Sequence, residues 1–113
     1  MDKLTRYREL VKGLLNELAA PARRRPEGDV ETTGIFDDDH GHYLLLSVGW
    51  TGERRVRGTP VHIRLRDGKV WVEEDWTDAR VVERLVEAGV PKVDIVLGFQ
   101  PPNMRKLTEF AVA

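Results

Sequence analysis

The chain has 113 residues, 41% hydrophobic and 33% charged, and its 18 basic and 19 acidic residues give a formal net charge of −1. This length suits one domain with one core, and the charge balance excludes a global field that would attract nucleic acid or an anionic membrane. The absence of cysteine excludes disulfides, thiolate catalysis and cysteine-bound zinc. Since no signal peptide or membrane-spanning stretch is visible, we expect a soluble cytoplasmic protein with a single domain over residues 1–113.

The first 20 residues have the spacing of an amphipathic helix. Their apolar side chains recur every three or four residues and form one stripe: Leu4, Tyr7, Val11, Leu14, Leu15 and Leu18. Asp2 is a suitable cap and Pro21 a suitable stop, so the pattern predicts a helix over residues 2–20 that packs on a sheet. Two prolines, a glycine and several charges then predict an exposed linker over residues 20–29.

Two strands and a tight connection follow. Residues 30–36 and 42–50 are rich in β-branched and apolar residues, and the polar residues 37–41 between them favour a turn. Alternation places four apolar side chains of the second strand on one face: Leu44, Leu46, Val48 and Trp50. We expect Trp50 to belong to the core.

The Asp67-Gly68 dipeptide lies between two alternating segments and predicts a type I′ hairpin turn, since glycine readily adopts the positive φ that this turn needs. The turn fixes the register outward: Arg66 pairs with Lys69, Leu65 with Val70, Arg64 with Trp71, Ile63 with Val72, and His62 with Glu73. One face is then aliphatic, with Val61, Ile63, Leu65, Val70 and Val72. The other face is expected to be accessible and carries His62, Arg64, Trp71 and Glu73.

The rest of the chain predicts a second helix, a short strand and a packing segment. Thr77 can cap residues 78–88, and Gly89 suits the left-handed position that ends a helix. Residues 95–97 are a strand candidate, and a last packing segment is expected from Met104, Leu107, Phe110 and Val112. The fold predicted is α+β: an antiparallel sheet of four or more strands, an N-terminal helix and a second helix after the Asp67-Gly68 hairpin.

Candidate catalytic groups are few. The one dense group of potential metal ligands comprises Asp37, Asp38, Asp39, His40 and His42. Its spacing fits no calcium loop, and a solvated hairpin tip explains the same residues. His62, oriented by Glu73, is a candidate general base, but the sequence offers no nucleophile to accompany it. We therefore expect no enzyme, no metal and no cofactor.

Arginine and tryptophan side chains are the candidates for binding. Arg23, Arg24 and Arg25 form a basic run, but without a recognisable docking motif they predict weak or indirect contact with DNA. Trp71 beside Arg64 is typical of an interface hot spot. The predicted partner-binding residues are Arg64, Trp71, His62 and Glu73. A segment of the same chain folded over Trp71 would explain this aromatic residue equally well.

Several segments resemble one known family. They are Val48-Gly49-Trp50, His62 with Asp67-Gly68-Lys69-Val70-Trp71-Val72, Glu87-Ala88-Gly89-Val90-Pro91-Lys92, Asp94-Ile95-Val96-Leu97-Gly98-Phe99 and Phe110-Ala111-Val112-Ala113, with Met1-Asp2-Lys3-Leu4 at the start. Together they span nearly the whole chain and resemble the XisI family, the fdxN element excision controlling factors. Residues 20–29 depart from the family in being richer in arginine and proline.

The resemblance implies a small, dimeric α+β factor. This factor would be non-catalytic and would control the programmed excision of a DNA element. Excision would also require a companion XisH-like protein and a recombinase. Because XisH resembles a nuclease fold, an alternative is an antitoxin-like inhibitor of a nuclease-fold partner. A second alternative is a direct DNA-binding accessory protein. No catalytic or binding residue of the family is carried over to this sequence.

Overall fold

The structure, a computed structural model, describes residues 2–24 and 29–113. Its helices are α1 (Lys3–Arg24), α2 (Val81–Glu87) and α3 (Pro102–Arg105), with a 3-10 helix at Lys92–Asp94. Its strands are β1 (Asp29–Asp37), β2 (His42–Thr51), β3 (Arg54–Arg66), β4 (Lys69–Asp75) and β5 (Ile95–Leu97). They form one sheet in the order β1-β2-β3-β4-β5. The predicted α+β class, with a second helix after the hairpin, is confirmed.

The last strand departs from the predicted antiparallel pattern. β1 to β4 pair antiparallel, whereas β5 pairs parallel to β4. The connection explains the difference, because antiparallel neighbours need only a tight turn while a parallel neighbour needs a longer crossover. Here α2 provides that crossover. The sheet is therefore mostly antiparallel, with one parallel pair at its β5 edge.

α1 packs on the sheet through one continuous apolar stripe. Its fully buried members are Tyr7, Val11, Leu15 and Ala19. The predicted cap is present, since Oδ1 of Asp2 accepts a hydrogen bond from the backbone N–H of Thr5 at 2.7 Å. That hydrogen bond holds the pKa of the Asp2 carboxyl below its ordinary value.

The predicted end of α1 at Pro21 is wrong, because the helix continues to Arg24. A proline near the end of a helix removes one backbone hydrogen bond, the one to the carbonyl four residues earlier, and the preceding turns keep theirs. The linker predicted for residues 20–29 is therefore helical over residues 20–24. Residues 25–28 lie outside the described residues.

A polar contact fixes α1 to the 3-10 helix that precedes β5. The Tyr7 hydroxyl donates to Oδ2 of Asp94 at 2.5 Å, and Nζ of Lys3 lies 3.0 Å from the same oxygen. Burial alone would raise the pKa of Asp94, but these two partners outweigh it and lower the pKa. The start of the chain is thereby held to a segment near its end.

The β3–β4 hairpin has the predicted turn. Asp67 and Gly68 both have positive φ, 54° and 75°, as a type I′ turn requires. Four of the five predicted cross-strand pairs are confirmed: Arg66 with Lys69, Leu65 with Val70, Arg64 with Trp71, and Ile63 with Val72. The aliphatic side of this hairpin faces the core.

The fifth predicted pair of the hairpin is wrong. His62 pairs with Glu74 rather than Glu73, because a β-bulge lies between His62 and Ile63. A bulge places two residues of one strand opposite one residue of its partner, and Glu73 is the additional residue. Glu73 still projects to the same side as Arg64.

α2 is shorter than the predicted helix over residues 78–88, because it covers only Val81–Glu87. The predicted cap by Thr77 is also wrong. Oδ1 of Asp75 accepts hydrogen bonds from both the backbone N–H and the hydroxyl of Thr77, at 2.9 and 2.6 Å. Such local side-chain bonds hold the backbone in a turn and delay the helix. Gly89 ends the helix as predicted, with φ of 104°.

Candidate partner-binding surface

The two faces of the sheet differ in what covers them. Residues paired across neighbouring strands project to the same side, so the register separates the faces. The inner face packs into the core with α1 and α2 and includes Tyr43, Leu45, Val61, Ile63, Val70 and Val72. The opposite face, here called the outer face, includes Ile35, Leu44, Leu46, Val48, Trp50, His62, Arg64, Trp71 and Glu73.

β2 is apolar on both faces, and the side that carries Trp50 is the outer one. Tyr43 and Leu45 are buried, whereas Trp50 is 48% exposed. Alternation along a strand separates two faces but does not say which of them a helix covers. The core position expected for Trp50 is therefore wrong. Its ring instead contacts the guanidinium of Arg55, whose central carbon lies 5.2 Å from the ring centroid.

Trp71 is covered by its own chain. It is only 8% exposed, and the guanidinium carbons of Arg66 and Arg105 lie 5.5 and 5.3 Å from its ring. Its indole Nε1 donates to the Arg66 carbonyl at 3.2 Å. Arg105 is held in place because its Nε donates to the carbonyls of Leu97 and Gln100. Trp71 as an accessible partner-binding residue is therefore wrong, and the intramolecular alternative is correct.

Arg64 and Glu73 lie together on the outer face. Nη1 of Arg64 is 4.0 Å from Oε2 of Glu73, and the two side chains are 28% and 24% exposed. Nε of Arg64 is buried and has no hydrogen-bond acceptor among the described residues. An ion pair at this separation contributes little to stability, so Arg64 is not committed to an internal partner.

His42 and His62 form a cross-strand pair on the outer face. Nδ1 of His42 lies 2.9 Å from Nε2 of His62, so one ring donates the proton that the other accepts. Burial is the main cause that lowers the pKa of His62, and the His42 ring adds to it. The Arg64 charge also lowers this pKa, while Glu73 and Glu74 oppose the shift.

The His62 shift predicts a loss of stability in mild acid. Because the folded pKa is lowered, the unfolded chain binds the proton first as the pH falls below the ordinary value of 6.5, and the free energy of unfolding then decreases. His62→Gln should reduce the difference in urea midpoint between pH 7.5 and pH 5.5. An unchanged pH dependence in His62→Gln would contradict the assignment.

The Asp37 and Asp38 carboxylates near His40 accept hydrogen bonds within the β1–β2 turn and from neighbouring elements. Oδ2 of Asp37 lies 2.8 Å from Nδ1 of His40, and Asp38 contacts Nζ of Lys12 at 3.0 Å and the Tyr43 hydroxyl at 2.8 Å. Over residues 2–24 and 29–113, no three metal-ligating side chains are grouped closely enough to hold an ion. The turn predicted here is confirmed, and its hydrogen bonds account for these side chains.

The arginines considered for contact with DNA lie in two parts of the chain. Arg54, Arg55 and Arg57 are exposed on β3, near its start. Arg23 and Arg24 are the last two residues of α1, and Arg25 lies outside the described residues.

The packing segment predicted near the C-terminus is only partly correct. Phe110 packs against the core. Met104, Leu107 and Val112 are 44%, 73% and 49% exposed, respectively. The C-terminal segment covers Trp71 with Arg105 and contacts the edge of β5 through a bridge from Ala111 to Val96. The side chains of Met104, Leu107 and Val112 are not needed for these contacts and stay largely exposed.

Comparison with known proteins decides the family. A family model described as XisI protein matches residues 1–112. The chain belongs to the XisI family. A crystal structure of a XisI-like protein from Anabaena variabilis ATCC 29413 is 41% identical, with a TM-score of 0.90 over 97% of this chain and 99% of that one. A second from the same organism, the fdxN element excision controlling factor XisI, is 37% identical, with a TM-score of 0.84 over 99% and 100%.

One further comparison and one property of the helices concern this XisI chain. The search of curated proteins gave no match. Among the described residues, no helix is long and apolar enough to cross a lipid bilayer.

Sequence reasoning missed two residues of this XisI surface. Arg105 covers Trp71 from more than 30 positions away, and no local pattern signals such a contact. His42 is adjacent to His62 because of the β2–β3 register, which no tight turn signal specified. Both follow from pairings between distant segments.

Proposed function

We propose that this chain is a cytoplasmic, non-catalytic regulatory factor that binds a XisH-like protein and thereby controls programmed excision of a DNA element with a recombinase. The observation that carries the proposal is the polar cluster of His62, Arg64 and Glu73 on the outer face. Membership of the XisI family supports it, and so does the controlling role named for the Anabaena relative.

The geometry of this cluster favours binding over catalysis. His62 and His42 bond to each other, so neither ring has a nucleophile to activate. A general base needs a reacting group within hydrogen-bond reach. Over the described part of the chain, the cluster contains carboxylates, imidazoles and a guanidinium, with no serine or cysteine beside them.

Arg64 is the residue best suited to meet a partner. A guanidinium binds a carboxylate through two parallel hydrogen bonds, and this one has only a distant internal carboxylate at 4.0 Å. The Nε is buried, so the part of the side chain that reaches the surface, 28% of it, is what a partner can meet. An acidic side chain of the XisH-like protein would pair with that exposed part of the guanidinium.

Co-expression with a XisH-like protein tests the proposal. The two proteins should co-purify, and Arg64→Gln should weaken the complex at least tenfold, because truncating one partner of a buried, hydrogen-bonded charge pair costs about 2–5 kcal/mol. Arg84→Gln on α2 is the matched control, since Arg84 lies on the other side of the sheet and is paired with Glu17. Isothermal titration measures both affinities, and thermal melts verify that the variants fold.

Wild-type proteins that elute separately at micromolar concentration would contradict this function. Wild-type affinity of Arg64→Gln for the XisH-like protein would contradict the assignment of the contact to the His62, Arg64 and Glu73 cluster.

A second candidate, a direct DNA-binding accessory role, is favoured by the three arginines at the start of β3. Arg54, Arg55 and Arg57 are exposed, and no ion pair described in the structure includes them. Such a role would show an affinity for duplex DNA that falls steeply with salt.

A further inference from the structure

A surface groove of about 550 Å³ lies beside Trp76, which directly follows β4. Side chains from β2, β3 and β4 line it, among them Ser47, Arg57, Thr59 and Glu74. Trp76 is 82% exposed, more than any other large apolar residue that the structure describes. Folding therefore leaves this indole uncovered, and the groove beside it is open to a ligand.

The Trp76 ring is fixed at its edge. Its Nε1 donates to Oε2 of Glu74 at 3.2 Å, and its backbone N–H donates to the carbonyl of Pro60 at 2.8 Å. These bonds hold the residue without covering the two faces of the ring, since Trp76 stays 82% exposed. A side chain that is already held in position loses little rotamer freedom when a ligand binds. The ring is thus prepared for stacking.

Arg57 brings a positive charge to the same groove. It is exposed and belongs to no ion pair of the described residues. Arg55, two residues earlier on the same face, differs because its guanidinium lies on the Trp50 ring and donates to the Gly49 carbonyl. Arg57 is therefore the outer-face arginine at the start of β3 that remains available to an anion.

Gly58 keeps space open next to Arg57. No atom lies within 4 Å of a Cβ built at this position. Gly58 pairs with Ser47, where the β2–β3 register is irregular. A glycine inside a strand weakens the strand and often marks a place where a ligand approaches the backbone closely. The groove therefore has room for a flat ring against the β3 backbone.

These features together match a nucleotide of a single strand. A nucleotide has a flat base, which stacks on an aromatic ring, and a phosphate, which pairs with a guanidinium. In a duplex the neighbouring base pairs cover both faces of a base, so a single strand is needed to offer one to Trp76. An acidic peptide would pair with Arg57, but it would leave the indole faces uncovered and be repelled by the Glu74 carboxylate. A base can donate an amino group to that carboxylate.

We propose that this groove binds single-stranded DNA, with one base stacked on Trp76 and an adjoining phosphate on Arg57. This site rests on the second candidate function, direct contact with DNA, and it narrows that function to unpaired strands. It uses none of the cluster of His62, Arg64 and Glu73, so the XisH-like complex and the DNA site are separate contacts.

Fluorescence anisotropy with a labelled oligo-dT of about 12 nucleotides, within the usual range of such sites, tests the groove. At about 50 mM salt the full chain should bind this strand saturably. Trp76→Ala should weaken binding at least about fivefold, because one stacked base is lost. Arg57→Gln should also weaken it and should reduce the slope of log affinity against log salt by about 0.7, since one phosphate contact is lost. Thermal melts should stay near wild type, because both residues are exposed.

Matched controls separate the groove from general surface effects. Phe99→Ala removes another exposed aromatic side chain and Arg54→Gln another exposed arginine of β3, but neither residue lines the groove. Both variants should bind the strand within about twofold of wild type. Gly58→Ala places a methyl group in the open space, so it should weaken DNA binding by more than either control while the stability stays unchanged.

Wild-type affinity of Trp76→Ala, or a duplex bound as tightly as the single strand, would overturn this site but leave the second candidate function standing. Absence of saturable binding to both forms of DNA would remove the two together. Tighter binding of an oligo-U strand than of oligo-dT would assign the groove to RNA, and displacement of the strand by poly-glutamate at equal concentration would assign it to an acidic polypeptide. Co-purification with the XisH-like protein reports the Arg64 contact separately, so either contact can fail without the other.

Discussion

Leu15→Ala should lower the free energy of unfolding by about 2–5 kcal/mol. Leu15 is 0% exposed and lies in the central cluster between α1 and the sheet. The substitution removes buried apolar area and leaves a cavity that the surrounding strands only partly fill. Urea unfolding monitored by tryptophan fluorescence measures the change.

Leu14→Ala is the matched control for that substitution. It makes the same chemical change in the same helix, but Leu14 is only partly buried at the edge of the cluster. The loss should be smaller by at least about 1 kcal/mol, since less area leaves water and no enclosed cavity forms. Equal losses in the two variants would mean that α1 does not pack on the sheet with this orientation.

Gly49→Ala should destabilise the protein by about 1–3 kcal/mol, the usual cost of forcing an added methyl into a packed region. A Cβ at position 49 would overlap the carbonyl oxygen of Asp29 and lie 2.6 Å from the Cα of Val30. The neighbouring atoms are backbone, so they yield only if β1 moves away from β2. Thermal and urea unfolding report the loss.

Gly58→Ala distinguishes this clash from the general effect of replacing a strand glycine. No atom lies within 4 Å of a Cβ built at position 58. The substitution should therefore stay within about 0.5 kcal/mol of wild type, as most uncrowded surface changes do. A neutral Gly49→Ala would show that β1 does not approach β2 as closely as described.

Local signals predicted the parts of the fold that depend on neighbouring residues. Asp2 capped α1, Asp67-Gly68 set the β3–β4 register, and Gly89 ended α2 because each effect acts within a few residues of its cause. The same kind of argument failed at Thr77, where Asp75 competes for the same backbone. It also failed at His62, where one extra residue shifts the pairing.

The candidate surface was harder to predict because it depends on which face of the sheet α1 covers and on which side chains cover Trp71. The alternation in β2 correctly separated Trp50 from Tyr43 but did not show which side α1 would occupy. The alternation around Trp71 correctly placed Arg64 and Glu73 on the same face, yet it gave no sign of Arg105. Coverage is decided by contacts between segments far apart in the chain, which spacing alone does not encode.

The parallel β4–β5 pair differs from the other strand pairs in the number of residues that connect its two strands. The hairpins from β1 to β4 need only short loops, whereas β5 joins β4 across a 19-residue excursion through α2, from residue 76 to residue 94. Closing longer loops costs more chain entropy, so we expect the antiparallel meander to form before β5 pairs with it. On that order the indole of Trp71 would be covered last, when the C-terminal segment docks.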